Sequence, residues 1–235
     1  MIQIYNEDCL IGMKSLIDQG TKVDCIVTDP PYLITSKGSN GTAGGMLIKK
    51  ETRQGKIFNH NDCHVSKWAK PFYDLLKDGG HAYIMTNHVN LIEYLNTLTG
   101  CGFQFIKCLI WDKQNKIMGR FYMSQFEYII FLRKGEGIQI NNCGTSDILS
   151  IPNKKTKVEG DNIHDVEKPV RLMRILIENS TKEGELVLDP FLGSGSTALA
   201  CKESKRDFIG YEIDEKYYTM AKERFNCHRV KRGLM

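Results

Sequence analysis

No run in this chain approaches eighteen apolar residues, no Cys-x-x-Cys pair occurs, no internal repeat is visible and neither sign of charge dominates. Each absence removes a class. Without a long apolar run, and with acids rather than a basic, apolar leader in the opening MIQIYNEDCL, neither a membrane span nor a secretory signal is expected, and the expected location is the cytoplasm. The eight cysteines, at 9, 25, 63, 101, 108, 143, 201 and 227, fall partly inside apolar runs such as VDCIV and FIKCLIW. They read as reduced, mostly packed thiols and not as a disulfide framework. Lysine and arginine total 32 against 28 acids, and a net charge of +4 permits a polyanionic partner without demanding one.

What is present is ordinary globular material: 235 residues, 41% of them hydrophobic, enough for one large domain over 1–235 with modest excursions. Strand and helix patterns alternate, which predicts a parallel sheet covered by helices. Strands are expected at 1–5, 22–28, 80–86, 103–111, 126–132, 185–189 and 207–212, and helices at 9–17, 65–76, 89–98, 169–179, 196–204 and 214–226. The helix at 169 opens with Lys168-Pro169 and carries the apolar stripe Val170, Met173, Leu176 and Ile177. Two stretches, 33–64 and 134–164, are polar, glycine-rich or basic and read as loops. Lying outside the periodic pattern, they are the expected partner-reading segments.

The stretch IVTDPPY at 26–32 ends a strand abruptly. Isoleucine, valine and threonine favour a strand, but two consecutive prolines cannot continue a ladder, so it stops at Asp29. Pro30 and Pro31 fix φ and drive the residues before them to extended geometry, which aims the carbonyls of Asp29 and Pro30 rigidly, next to the ring of Tyr32. A lone Asp-Pro-Pro-Tyr is more often a proline turn with a capping acid. The rest of the chain decides between the two readings.

A second stretch, ELVLDPFLGSGSTALA at 185–200, is a strand, a glycine turn and a helix start in succession. Gly193, Gly195 and Ala198 satisfy G-x-G-x-x-A, and Glu212 closes the next strand. Glycines admit a ligand close to the backbone, the helix start at Ser196 and Thr197 favours an anion, and Glu212 can grip ribose hydroxyls. The motif alone suits NAD as well as S-adenosylmethionine. Only one helix and a basic tail follow Glu212, so the second half of a dinucleotide fold is not expected there. If the third strand is instead IQIYNED and the fourth VDCIVTDPPY, the chain is a circular permutation of one doubly wound sheet, and Asp8, Asp29 and Glu212 share a rim.

These residues resemble the β group of DNA amino-methyltransferases, which place D-P-P-Y early and F-x-G-x-G late, as TDPPY and DPFLGSGST stand here. The likeness extends from NEDCLIGMKSL through DGGHAYIMTN and FEYIIFLRKG to HDVEKPV and GYEIDEKYYTMAKER. It implies a Rossmann-like, mostly parallel sheet with an antiparallel edge strand, S-adenosylmethionine as cofactor, DNA as substrate, no metal, a possible homodimer and a restriction-modification setting. By the same resemblance Phe191, Gly193, Gly195, Ser196 and Thr197 cradle the methionine end, Glu212 holds the ribose and Asp8 the adenine, with Cys9, Asp29, Lys168, Asp189, Ser194 and Ile213 also on the cofactor side. Asp29, Pro30, Pro31 and Tyr32 form the catalytic set. Lys168-Pro169 matches the end of H-P-x-x-K-P, but His164-Asp165 replaces its His-Pro.

The chemistry gives IVTDPPY a purpose. An exocyclic amino group is a poor nucleophile because its lone pair is delocalised, and acceptors around the nitrogen favour the pyramidal, reactive form. Asp29 can accept one N–H and the carbonyl of Pro30 the other, and at an ordinary pKa of about 3.9 the acid cannot deprotonate a neutral amine beforehand. Tyr32 offers a stacking face, so base flipping is implied. The expected reaction is methylation of adenine N6 in DNA. Cytosine N4 methylation, an RNA or protein N-methyltransferase and an NAD oxidoreductase stand as alternatives. NHNDCH, with His60, Asp62, Cys63 and His64, reads as a polar loop rather than a metal site. Trp111 and the strand segment Gln125 to Tyr128 read as packing and scaffold, while Lys154, Lys155, Lys157, Arg229, Lys231 and Arg232 are candidate phosphate contacts.

Overall fold

Residues 1–31, 63–117, 121–137, 139–153, 157–158, 161–162 and 167–227 are described by a computed structural model of the chain. In chain order its elements are β1 (Ile2–Asn6), α1 (Cys9–Asp18), β2 (Val23–Thr28), α2 (Val65–Leu75), β3 (Leu76–Thr86), α3 (Leu91–Gly100), β4 (Gln104–Ile117), β5 (Ser124–Arg133), β6 (Ile148–Ser150), β7 (Lys157–Val158), β8 (Asp161–Asn162), α4 (Val170–Ser180), β9 (Leu186–Asp189), α5 (Ser196–Glu203), β10 (Asp207–Glu212) and α6 (Glu215–Cys227). Every strand and helix expected from the sequence is present, with ends displaced by a few residues. Pro169 stands just outside α4, as its cap with ψ 128°, because only Val170 onward is helical.

The main sheet has the order β1-β10-β9-β2-β3-β5-β4-β6. Neighbours from β1 to β3 are all parallel. Taking β9 as the first strand of a doubly wound fold, β10 is second, β1 third and β2 fourth, which is the permuted order expected from the sequence. The expected antiparallel edge is a hairpin of β4 and β5 in which β5 alone is reversed and lies inside β4. The outermost strand is the short β6, parallel to β4. Residues 148–150 were expected to fall in a loop. Three residues give too short a period to announce a strand, and pairing with β4 forms it.

Two layers of helices cover the sheet. Val23 and Ile26 of β2 face a core with Met13, Trp68, Phe72 and Tyr94, while Cys25 and Val27 face one with Leu172, Leu176, Ala198 and Phe208. Burial on both faces explains why Cys25, Ile26 and Val27 at the centre of β2 are apolar while Asp24 and Asp29 stand toward its two ends. All eight cysteines are free thiols, of which Cys143 and Cys227 are exposed. No described helix is long and apolar enough to cross a membrane.

Candidate active site

Because β1, β10, β9 and β2 are adjacent and parallel, their carboxyl ends form one rim, and each end carries an acid: Asp8, Glu212, Asp189 and Asp29. Asp8 is the cap of α1 and accepts from the Leu10 N–H at 2.8 Å. Glu212 accepts from the N–H groups of Gly193 at 2.8 Å and Asp214 at 2.9 Å. Burial raises its pKa against the lowering effect of those two donors. Each oxygen keeps a lone pair for another donor.

Asp189 holds the glycine turn. It accepts from the hydroxyls of Thr28 and Thr197, each at 2.6 Å, and from the Phe191 N–H at 3.1 Å. Its burial pushes the carboxyl pKa up to about 6 despite these donors. The turn then passes through Gly193 and Gly195, at φ +55° and +81°, which a side chain rarely adopts. A Cβ on Gly195 would sit 3.1 Å from Cβ of Ala221 on α6, whereas one on Gly193 would meet nothing within 4 Å, so the turn is packed below and open above.

The hydroxyls of Ser196 and Thr197 are committed to structure. Ser196 donates to the Lys168 carbonyl at 2.7 Å, and Thr197 to Asp189. Arg224 on α6 donates to the carbonyl and hydroxyl of Ser194 and to the hydroxyl of Ser196, and forms an ion pair with buried Glu167. These bonds clamp the glycine turn to the 167–169 segment. Phe191 turns away to pack edge-on against Trp68, 6.1 Å between centroids. Cys9 is buried under α1, its thiol pKa raised by a hydrogen bond with Cys63, and Ile213 is exposed at the rim.

The Asp29 corner contains the feature that sequence reasoning missed. Lys168 is only 5% exposed and pairs with Asp29 Oδ2; its Nζ also lies 3.6 Å from Glu127 Oε2. Glu127 in turn pairs with Lys113. Asp29, Lys168, Glu127 and Lys113 thus form a chain of alternating charge reaching from β2 to the β4–β5 hairpin. Glu127 was read from sequence as scaffold, and nothing local signals otherwise, since its partner Lys168 lies far along the chain. Asp29 Oδ1 is buried with no hydrogen-bond partner among the described residues. Burial raises the Asp29 pKa, opposed by Lys168 and assisted by the like charge of Glu127. At Glu127 burial acts in the same sense, but two lysines outweigh it and hold its pKa below the usual value.

Pro31 offers its carbonyl to the Tyr94 hydroxyl at 3.5 Å. Tyr32, His60, Asp62, Lys154, Lys155, Arg229, Lys231 and Arg232, and all of 33–62 in the first expected DNA-reading segment, lie outside the described residues. His64 caps α2 through Ser66 and meets Glu93 at 2.7 Å. Trp111 is buried packing, as expected, and donates to the Ile151 carbonyl at 2.8 Å.

A rim of strand-end carboxylates beside an open glycine turn defines a cofactor-using α/β protein, and comparison with known proteins identifies which kind. Residues 23–223 match the N6/N4 methyltransferase family described as DNA methylase. The chain belongs to that family. It is 27% identical to the Type II methyltransferase M2.MboI of Moraxella bovis over 95% of this chain and 87% of that protein, and 28% identical to M2.DpnII of Streptococcus pneumoniae over 87% and 83%. The crystal structure of an M1.HpyAVI-SAM complex superposes with a TM-score of 0.70 at 26% identity, covering 95% of this chain and all of that one. The cytosine-N4-specific PvuII DNA methyltransferase shares the fold, with a TM-score of 0.73 at 16% identity over 99% of this chain and 88% of that one.

Asp189→Asn tests the buried acid. Asparagine retains an acceptor for Thr28 and Phe191, and Thr197 can accept from its amide. A folded-state pKa of about 6, raised from 3.8, means that the wild-type protein loses this group's stabilising protonation as pH rises through that interval. Melting temperatures measured from pH 4 to 7 should show a shallower decline in the variant, and parallel curves would contradict the assignment.

Proposed function

We propose that this DNA methylase transfers the methyl group of S-adenosylmethionine to the N6 amino group of adenine, with Asp29 and the carbonyl of Pro30 holding the amine. The observation that carries this reading is the buried Oδ1 of Asp29, beside two prolines at the rim, which has no hydrogen-bond partner among the described residues. A buried acceptor without a donor is costly unless a ligand supplies one. Lys168 occupies the other oxygen, which leaves Oδ1 for an incoming N–H.

The residues fit the cofactor. Glu212 and Asp8 retain lone pairs for hydroxyl and amino donors, and the space above Gly193 is open. Gly193, Gly195 and the start of α5 would carry the methionine end through backbone groups, since the hydroxyls of Ser196 and Thr197 are engaged elsewhere. When bound, the cofactor supplies an electrophilic sulfonium methyl.

Asp29 orients the amine so that its lone pair faces that methyl. As the new N–C bond forms and the S–C bond breaks, the surplus proton passes to Asp29. Its raised pKa suits that role, and Lys168 steadies the carboxylate until the proton arrives. Tyr32 provides the stacking face for the extruded base. A carboxylate at the first motif position favours adenine N6, because the cytosine-N4 relatives of this family pattern more often carry serine there.

Digestion of DNA methylated with labelled S-adenosylmethionine, followed by nucleoside chromatography, tests the reading: the label should appear in N6-methyldeoxyadenosine, and label in N4-methyldeoxycytidine would replace it with the cytosine alternative. Asp29→Ala should retain cofactor affinity by calorimetry while turnover falls on the order of a hundredfold or more. Methylation near the wild-type rate would remove Asp29 from catalysis.

Glu127→Gln gives a signed test of the charge chain. Activity requires ionised Asp29, so it falls as pH drops through the pKa of that group. Removing the negative charge of Glu127 lowers that pKa, with Lys113 and Asp189 also charged nearby. The acid limb of kcat/KM should therefore move to lower pH. A limb that stays in place, or moves upward, would contradict the coupling.

A further inference from the structure

The hairpin of β4 and β5 does not stop where the rest of the sheet stops. Thr86, the last residue of β3, pairs with Tyr128, which also pairs with Ile110. Beyond that level β5 continues to Ser124 and β4 to Ile117 with no β3 beside them. On the other side β6 flanks β4 as far as Asp112, the partner of Phe126, and Ser124 is two residues past Phe126, so the two-stranded part rises roughly 7 Å beyond β6 at about 3.3 Å per residue. A register shift between Asp112 and Ile117, with Gln114 at φ +55°, bends it.

On the β5 side the outermost described residues of this ribbon are apolar. Phe121, Tyr122 and Met123 are 88%, 91% and 54% exposed, and Phe126 below them is 45% exposed. Single exposed apolar residues are common, but three in succession at a projecting tip mark an interaction site. The outward charge beside them is cationic: Lys116 is exposed, while Asp112 is engaged by Gln114, Gln125 and Ser150. The base of the ribbon is part of the catalytic corner, because Lys113 and Glu127 belong to the charge chain that ends at Asp29.

Resting on the proposed base-flipping reaction, we propose that this ribbon enters a groove of duplex DNA and that Phe121, Tyr122 and Met123 form a wedge occupying the stack where the target nucleotide leaves it. A two-stranded ribbon fits a major groove. Phenylalanine and methionine are residue types that separate base steps, and tyrosine adds a face for stacking. The apolar tip and cationic flank suit DNA, with its stacked bases between phosphates, better than they suit a second copy of this chain, which would bring its own cations to the same surface.

The test uses the full chain, an oligonucleotide duplex containing the site found by sequencing methylated plasmid DNA, and the double variant Phe121→Ala/Tyr122→Ala. Loss of the wedge should lower kcat/KM on the paired duplex by about tenfold or more. The loss should largely vanish when the target base is mispaired, because the work of extrusion is then already done. The fluorescence rise of 2-aminopurine at the target position should shrink in parallel, and the aromatic-preserving Phe121→Tyr/Tyr122→Phe should restore both. Cofactor affinity by calorimetry should not change. Equal losses on paired and mispaired DNA, no loss on either, or a sedimentation shift to a smaller species would overturn the wedge, the last by showing a contact between copies. Failure of the wild-type protein to methylate any DNA would instead remove the reaction on which the wedge depends.

Discussion

Charged carboxylates cannot be left bare in a protein interior, and four of them end four neighbouring strands of this sheet. The organisation of the rim follows from supplying each with donors. Asp8 takes a helix start, Glu212 two backbone N–H groups, and Asp189 two threonine hydroxyls and an N–H. Asp29 receives a lysine on one oxygen only. The first three arrangements also bend the chain: they set the α1 entry and hold the glycine turn against β10. Desolvation and chain geometry are thus settled by the same bonds, and the acid whose buried oxygen no described residue donates to is the one proposed to react.

The parallel sheet makes this economy possible. Strands buried on both faces have no place for a charge along their length, so polar groups gather at their ends, and in a parallel arrangement those ends lie on one side. The permuted connection brings the N-terminal strands β1 and β2 to either side of the C-terminal pair β10 and β9. Residues separated by most of the chain thereby become neighbours, as Thr28 is to Asp189 and Lys168 is to Asp29. Arg224 then joins α6 to the glycine turn and, through Glu167, to the segment that delivers Lys168. The glycine turn and the Asp29 corner share that segment as a mechanical link.

Lys168 also connects the rim to the hairpin, since it faces both Asp29 and Glu127. Charge at the base of the ribbon is therefore felt at Asp29. β5, which extends beyond β3, carries Glu127 of the charge chain, and the chain just before it holds the exposed Phe121, Tyr122 and Met123.

How much of this was legible beforehand depends on the range of the forces involved. The strands, the helices, the abrupt stop at Asp29 and the glycine turn are written in local pattern, because alternation, proline geometry and positive φ act over a few residues. Taking the N-terminal strands as the third and fourth of the doubly wound sheet added strand order and the shared rim of Asp8, Glu212 and Asp29. Other features had no local signal. Three residues at 148–150 become a strand only because β4 offers an edge, and Glu127 differs from any strand glutamate only by the two lysines that folding brings to it. Ser196 and Thr197, which the motif suggests as ligand contacts, spend their hydroxyls on Lys168 and Asp189. The sequence by itself determined which segments bend, extend or coil and where acids end strands. Only the tertiary structure decided which charges face one another, because an ion pair spanning most of the chain exists only after the sheet has closed between its partners.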